Sequence, residues 1–242
     1  MIFTPDCATI VVIKLSEYNM KIIARIYTDF KEKFGIPRQS GIAEESVGRI
    51  VFEPEYRVPE ALRGIEGYSH LWLIWDFSEA HREVWSPTVR PPRLGGNKRV
   101  GVFATRSPYR PNPIGLSSVK LLSVEDGPRG LTLLVGGADI LDGTPIYDIK
   151  PYLAYADSHP EATGGFADGV RDYKIEVEFA EGTRDALTED ERKALTVILA
   201  EDPRPSYKRD DKGVYGMSWR HYEIAFEYEK CKLLVTKIAK NE

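Results

Sequence analysis

The sequence predicts a mainly β protein, with an antiparallel barrel or sandwich followed by a small α+β domain. Short runs rich in Val, Ile, Tyr, Phe and Trp recur along the first two thirds of the 242 residues, and loops containing Pro and Gly separate them. No long amphipathic helices alternate with these runs, so a βαβ layout of the Rossmann kind is not expected. A change of pattern near residue 160 indicates a second domain.

The first domain is predicted from its β-rich runs. The most apolar of them, Tyr68–Phe77, is too continuously apolar for a solvent-facing strand, so we interpret it as the central core strand. In that strand, Trp72 and Trp75 are expected to pack rather than to contact a ligand. The predicted strands are Ala8–Leu15, Lys21–Tyr27, Gly48–Phe52, Tyr68–Phe77, Arg99–Arg106, Ser117–Val124 and Gly130–Gly136.

The second domain begins after a linker at Pro160–Gly169. Thr188 and Glu191 have the spacing of a capping box, which predicts a helix over Thr188–Glu201. Strands are predicted at Asp172–Ala180, Tyr222–Tyr228 and Cys231–Ile238, the last two as a hairpin. The domains are therefore expected at residues 1–160 and 161–242, with residues 1–19 as a candidate N-terminal extension.

Composition excludes several classes of protein. The apolar runs are far shorter than the ~20 residues that cross a bilayer, so no membrane association is expected. Two cysteines are too few for a disulfide framework, which predicts a cytoplasmic protein. Neither these cysteines nor the four histidines have the spacing of metal ligands, so no metal is expected. Neither GxGxxG nor GxxxxGK[ST] is present, so neither phosphate-binding motif is expected.

A basic segment stands out in a chain whose net charge is −4. Arg82–Lys120 carries eight Lys or Arg residues against one acid, a net charge of +7. Within it, Arg90–Gly115 contains four glycines and five prolines, which shape the loop and let its backbone approach a ligand closely. Arg93, Arg106 and Arg110 offer planar groups suited to carboxylate or phosphate. The alternative is a rigid, solvated surface loop with no ligand.

A second candidate region, Asp139–Tyr152, places Asp139, Asp142 and Asp148 within ten residues, which suits a cationic ligand. Its Asp142–Pro145 stretch is equally explained as a plain turn between two apolar runs. A third region, Lys31–Gly41, is as consistent with a loop as with a binding site.

Four segments together resemble one family. KFGIPRQSG, GYSHLWLIWDF, RPPRLGGNKRVGVFATRSPYRPNPIG and GADILDGTPIYDIKPYL occur in this order, as they do in the TsaA/TrmO family of S-adenosylmethionine-dependent tRNA (adenine-37-N6)-methyltransferases. The similarity runs from about Lys21 to Ser158, and DPRPSY at Asp202–Tyr207 and YGM at Tyr215–Met217 resemble the family's C-terminal domain. It implies a small antiparallel β-barrel, a homodimer with the cofactor site near its interface, and N6-threonylcarbamoyladenosine at position 37 of threonine tRNA as substrate.

The resemblance also implies a set of site residues. The S-adenosylmethionine site would comprise Pro37, Arg38, Gln39, Ser78, Glu79, Arg106, Leu116, Asp142, Gly143, Thr144 and Pro145. Relatives can carry a histidine where this chain has Ser78–Glu79. Candidates for orienting or accepting the N6 proton are Asp142, Tyr147 and Asp148. The tRNA anticodon loop would be held by Arg93, Lys98, Arg99, Arg110 and Asn112.

Two other functions remain compatible with the sequence. One is the same scaffold binding S-adenosylmethionine but acting on another RNA or a small molecule. The other is a non-catalytic RNA-binding module, which predicts no stabilisation by the cofactor.

Overall fold

A computed structural model describes residues 19–94, 97–128, 130–170, 173–204, 213–229 and 232–241, with the side chains of Arg93 and Val170 excepted. The predicted strand Ala8–Leu15 and the candidate extension up to residue 18 lie outside the described residues.

Six antiparallel strands form a closed hydrogen-bonded ring in the first part of the chain. They pair in the order β1-β2-β7-β6-β3-β8, and β8 pairs with β1 to complete the ring. The strands of this part are β1 (Ala24–Tyr27), β2 (Val47–Phe52), β3 (His70–Asp76), β4 (Thr88–Val89), β5 (Val100–Gly101), β6 (Ile114–Gly127), β7 (Gly130–Gly136) and β8 (Thr144–Pro151). Among the described residues, the short strands β4 and β5 pair only with each other.

Alternating side chains of the ring strands fill its interior. Leu71, Leu73 and Trp75 of β3 are buried in one cluster with apolar residues of the other five strands, as expected for residues spaced by two along a strand. The interpretation of Tyr68–Phe77 as a core strand is therefore confirmed. Trp75 packs tightly over Gly115, where an added Cβ would lie 2.1 Å from the indole.

The C-terminal part is a four-stranded sheet covered by one helix. Its strand order is β10-β11-β12-β9, with β9 parallel to β12 and the other pairs antiparallel. The helix buries Ala194, Leu195, Ile198 and Leu199 in the same cluster as the sheet. The elements after the ring are α1 (Ala154–Asp157), β9 (Glu176–Phe179), α2 (Glu189–Ala200), β10 (Val214–Trp219), β11 (Tyr222–Glu229) and β12 (Lys232–Lys240).

The helix begins as its sequence predicts. Thr188 is the N-cap of α2, and its hydroxyl accepts from the amide of Glu191 while the Glu191 carboxylate accepts from the amide of Thr188. These reciprocal bonds satisfy two amides that have no partner inside the helix. The predicted capping box and C-terminal hairpin are thus confirmed.

Three predictions of local structure need correction. Arg99–Arg106 is not one strand: only Val100–Gly101 is extended, and a 3₁₀ turn follows at Val102–Ala104. Neither β8 nor β10 was predicted as a strand: Asp142–Pro145 was interpreted wholly as a turn although β8 begins at Thr144, and Gly216 interrupts the pattern of β10. None of the helices in the described ranges is long and apolar enough to cross a membrane.

Candidate active site

Residues 28–46 connect β1 to β2 and are called the β1–β2 loop. This loop contacts three other segments that contain, or lie near, residues predicted to bind the cofactor. Its Gln39 accepts a hydrogen bond from Nη1 of Arg106. Its Lys33 makes a 2.9 Å ion pair with Glu79. Its Gly41 amide donates to the carbonyl of Gly137 at 2.9 Å, just ahead of the Asp142 turn. The fold therefore brings together segments that lie far apart in the sequence.

Within this loop, the three nominated residues point in different directions. Pro37 is buried, and Gln39 is exposed beside Arg106. The Arg38 guanidinium is half-buried and donates to the carbonyls of Asp202 and Arg204, both at 3.0 Å. Arg38 therefore anchors the loop on the C-terminal part of the chain through its side chain.

The turn before β8 is closely held by the β1–β2 loop. One carboxylate oxygen of Asp142 accepts from the amide of Thr28 at 2.8 Å, and the other lies 2.7 Å from Nζ of Lys31. Gly143 has a φ of 75°, a conformation that glycine adopts without strain, and its amide donates to the carbonyl of Ile26. Thr144 and Pro145 are buried behind it. The nominated turn is confirmed as a turn, and both Asp142 oxygens have partners.

The segment after β3 lies beside the end of Arg90–Gly115, hereafter the basic loop. Ser78 and Glu79 are exposed in a turn closed by a bond from the Ala80 amide to the carbonyl of Phe77. The Phe77 amide in turn donates to the carbonyl of Pro113 at 2.8 Å. Leu116, on the neighbouring strand β6, leaves 57% of its surface exposed, which is unusual for leucine in a strand and offers an apolar contact to a ligand.

Tyr147 sits at a β-bulge, between Ile146 and Asp148, which pair with consecutive residues of β3. Burial, together with the charge of Asp76 and a hydrogen bond to it, raises the pKa of the Tyr147 phenol. Asp76 is itself buried and lies 2.8 Å from Nε2 of His81. Asp148, by contrast, is bound to Lys150 at 2.9 Å and to the amide of Ile149. The Asp76–His81 pair was not nominated from the sequence, although an aspartate ending an apolar strand is a signal that could have marked it.

A second group without a nominated role is the carboxylate of Asp139, which the sequence marks only as one of three nearby acids. Its Oδ1 accepts a 2.6 Å hydrogen bond from Oγ of Ser117, which accepts a 3.0 Å bond from the Trp75 indole. Burial raises the pKa of Asp139, and the Ser117 hydroxyl, the amides of Asp139 and Ser40 and the charge of Arg106 offset this only in part. The alternation of inward and outward side chains along β6 could have placed Ser117 inside the ring. Its hydrogen-bond partner Asp139 is 22 residues away, and no pattern in the sequence relates the two.

The residues nominated for tRNA are spread along the basic loop. Lys98, Arg99 and Asn112 are exposed, and Arg99 donates to the hydroxyl of Thr88 at 2.9 Å. Arg110 is half-buried and donates to the carbonyl of Thr105. This bond stabilises the conformation of the loop. The side chain of Arg93 lies outside the described part of the structure.

Across the described ranges, no three His, Cys, Asp or Glu side chains are grouped so that they could hold a metal ion. The candidate site instead combines cationic and anionic side chains on connecting loops, among them the exposed Arg106 and the largely buried Asp139.

Comparison with known proteins identifies the class of this fold and site. The family model described as the tRNA-methyltransferase O N-terminal domain matches residues 25–158, and that of the TrmO C-terminal domain matches residues 172–241. The tRNA (adenine(37)-N6)-methyltransferase of Escherichia coli K12 is 42% identical over 214 residues, which cover 86% of this chain and 91% of that protein.

Two further relatives cover the chain almost completely. A Pseudomonas aeruginosa protein, RcsF, whose name provisionally describes an S-adenosylmethionine-dependent methyltransferase, is 39% identical over 90% of this chain and 95% of its own length. A crystal structure of TrmO from the same species superimposes with a TM-score of 0.74 at 33% identity, covering 93% of this chain and all of that one. The fold and the two matched family models are therefore those of a tRNA methyltransferase. The chain belongs to the TrmO family.

Proposed function

We propose that this protein transfers the methyl group of S-adenosylmethionine to N6 of N6-threonylcarbamoyladenosine at position 37 of threonine tRNA. The observation that carries the proposal is the convergence of the β1–β2 loop, Arg106 and the Asp142 turn, since these segments were nominated for one ligand and meet in space. The names of the relatives from E. coli and P. aeruginosa support the reaction and the methyl donor.

The residues at the convergence fit such a cofactor. S-adenosylmethionine combines a carboxylate, a positively charged sulfonium and an apolar face of adenine. Arg106 offers a guanidinium for an anion, and the exposed Leu116 an apolar contact. Backbone groups of Pro37–Gln39, Ser78–Glu79 and Asp142–Pro145 would complete the site. In this scheme the six-stranded ring is a β-barrel that carries the site on its loops, as the non-Rossmann scaffold of the family.

When bound, the cofactor supplies an activated methyl group, so the protein's own residues need only align the nucleophile and manage its proton. Of the three residues nominated for this task, Asp142 is bound to Thr28 and Lys31, and Asp148 is bound to Lys150. Tyr147, whose raised pKa keeps it protonated, donates its phenol proton to Asp76, and its phenolic oxygen would orient the substrate as an acceptor.

The basic loop would hold the RNA. Lys98 and Arg99 are exposed and suited to the phosphate backbone, while Asn112 could meet a base edge. Arg93 or Arg110 would pair with the threonyl carboxylate of the modified base. Base 37 lies in the anticodon loop, where an unstacked base is accessible to protein.

The proposal also covers the domain organisation and the oligomeric state of the protein. We place a methyltransferase domain at residues 1–160 and a smaller α+β domain at 161–242, in a cytoplasmic homodimer with the cofactor site near the dimer interface. The separate matches of the two family models, at residues 25–158 and 172–241, support this division.

The test is direct. The purified protein is incubated with S-adenosylmethionine and with threonine tRNA that either carries threonylcarbamoyladenosine or lacks it, and the digested nucleosides are weighed. We expect threonylcarbamoyladenosine one methyl group heavier, only in the modified tRNA. Methylation of both preparations would contradict the proposed substrate. No methylation of either, with the cofactor shown by calorimetry to bind, would contradict the reaction and redirect the search to another RNA or a small molecule.

A further inference from the structure

A short chain of hydrogen bonds leads from the core of the ring to a carboxylate at the candidate site. The indole Nε1 of Trp75 lies 3.0 Å from Oγ of Ser117, and that oxygen lies 2.6 Å from Oδ1 of Asp139. Trp75 and Ser117 are both buried, at 6% and 1% exposure. The chain of bonds therefore joins two neighbouring strands to the loop that precedes the Asp142 turn.

The direction of each bond follows from the chemistry of the groups. An indole N–H can only donate, so Ser117 Oγ accepts from Trp75 and directs its own proton to Asp139. Asp139 Oδ1 is therefore an acceptor. Gly115 allows this arrangement, because a side chain at that position would collide with the Trp75 ring. The carboxylate is held in one orientation before any substrate binds.

The other charges around Asp139 are few. The groups that face it are Ser117 from β6, the amide of Ser40 from the β1–β2 loop, its own amide, and the Arg106 guanidinium of the basic loop. No Lys, Arg or His side chain of the described residues lies within ion-pair distance of it, whereas Asp142 is paired with Lys31. Burial raises the pKa of the Asp139 carboxyl, which makes its carboxylate a stronger base than an exposed aspartate.

We propose that Asp139 is the catalytic base that accepts the N6 proton during methyl transfer. This inference rests on the proposed function. As the N6 lone pair forms its bond to the methyl carbon, the C–S bond breaks and its electrons remain on sulfur, which becomes a neutral thioether. The N6–H proton moves to Asp139 and then to solvent. Ser117 and Trp75 are positioning residues, which hold the carboxylate for this transfer.

Asp139→Asn tests the role, because it keeps the shape of the side chain and removes the base. We expect its single-turnover methylation rate to fall by about 100-fold or more, the range for loss of a general base. Calorimetry and filter binding measure its dissociation constants for S-adenosylmethionine and for the modified tRNA. Both should stay within about threefold of the wild-type values, well below the tenfold change that corresponds to 1.4 kcal/mol. Asp185→Asn, which changes an exposed aspartate outside the site, is the matched control.

The pH dependence gives a second readout. The rate of the unmodified protein should rise with pH through one ionisation above the ordinary range of aspartate, and the residual rate of Asp139→Asn should lack that rise. Ser117→Ala should lower the rate by about fivefold and leave cofactor affinity unchanged, since one hydrogen bond is worth about 1 kcal/mol. If Asp139→Asn does not fold, the profile of the unmodified protein decides: a rate independent of pH overturns the proposal.

Other outcomes are equally decisive. A rate for Asp139→Asn within threefold of the unmodified protein, or a loss explained wholly by weaker cofactor binding, would overturn the assignment of Asp139 while leaving the methyltransferase function intact. Absence of methylation by the unmodified protein would instead overturn the proposed function. The two failures are therefore distinguishable.

Discussion

The guanidinium of Arg38 donates a 3.0 Å hydrogen bond to the backbone carbonyl of Arg204. Arg204 is itself buried, paired with Asp202 at 2.9 Å and stacked 3.1 Å from the ring centre of Tyr228. Through this bond the β1–β2 loop, which carries Pro37–Gln39, is attached to the segment that follows α2, and Arg204 of that segment stacks on Tyr228 of β11. The shape of the candidate cofactor site therefore depends on a part of the chain that contributes none of its nominated residues.

Arg38→Ala should destabilise the protein and weaken cofactor binding together. Loss of hydrogen bonds from a charged donor costs about 1.5–3 kcal/mol, and in a protein of this size that lowers Tm by about 3–12 °C. Scanning calorimetry and cofactor titration measure the two effects. Arg38→Lys should recover part of both. An unchanged Tm would show that the bond to the C-terminal part contributes no stability.

Arg106→Ala should weaken cofactor or transition-state binding by about tenfold or more, since one charge-assisted hydrogen bond is worth about 1.5–3 kcal/mol. The measurement is the cofactor dissociation constant and the single-turnover rate. Arg49→Ala, which removes an exposed arginine paired with Glu125, serves as control and should change neither. Wild-type affinity and turnover in Arg106→Ala would remove this residue from the site.

Lys98→Ala should raise the dissociation constant for tRNA and flatten its dependence on salt, because removal of one phosphate-binding cation lowers the slope of log K against log salt by about 0.7–0.9. Binding is measured over a series of salt concentrations. Lys193→Ala, an exposed lysine on α2, is the matched control. A wild-type slope in Lys98→Ala would exclude a contact between Lys98 and the RNA backbone.

Tyr147→Phe should slow methyl transfer by about fivefold with little change in cofactor affinity, because it removes one hydrogen-bonding hydroxyl worth about 1 kcal/mol and keeps the ring. Rapid-quench measurement of a single turnover separates this effect from binding. Phe77→Leu alters a ring that packs against Trp75 and carries no polar group, so it controls for packing. A full rate in Tyr147→Phe would leave the phenol with a structural role at the bulge.

Glu191→Gln should destabilise the protein at neutral pH and lose this effect in acid. Burial raises the pKa of Glu191, but bonds from Thr188, Tyr222 and Arg220 outweigh it and hold the pKa below its ordinary value. A carboxyl whose folded pKa is lowered contributes stability above its unfolded pKa, and that stability disappears as pH falls through the folded pKa. Urea unfolding at a series of pH values should show the two proteins converging below the ordinary pKa of glutamate, about 4.3. Glu181→Gln, in an exposed turn, should follow the unmodified protein throughout.

Local signals in the sequence were sufficient for several elements. The spacing of Thr188 and Glu191 specified the start of α2, because a capping box involves only residues three apart. Runs of β-branched and aromatic residues between Pro and Gly loops identified most of the ring strands and the C-terminal hairpin. The prediction of a strand over Arg99–Arg106 failed, since β-branched residues there are interrupted by Gly101 and a 3₁₀ turn.

The sequence by itself determined the class of fold, the helix with its cap, and the segments that contain the site, because periodicity and turn chemistry act over a few residues. Only the tertiary structure decided which side chains meet there. Gln39 contacts Arg106 across 67 positions, and Arg38 contacts Arg204 across 166. The Ser117 hydroxyl donates to Asp139 because β6 pairs with β3, which places the Trp75 indole where it donates to the same hydroxyl. Such contacts depend on the order and register in which strands pair around the ring, and no local pattern encodes that order.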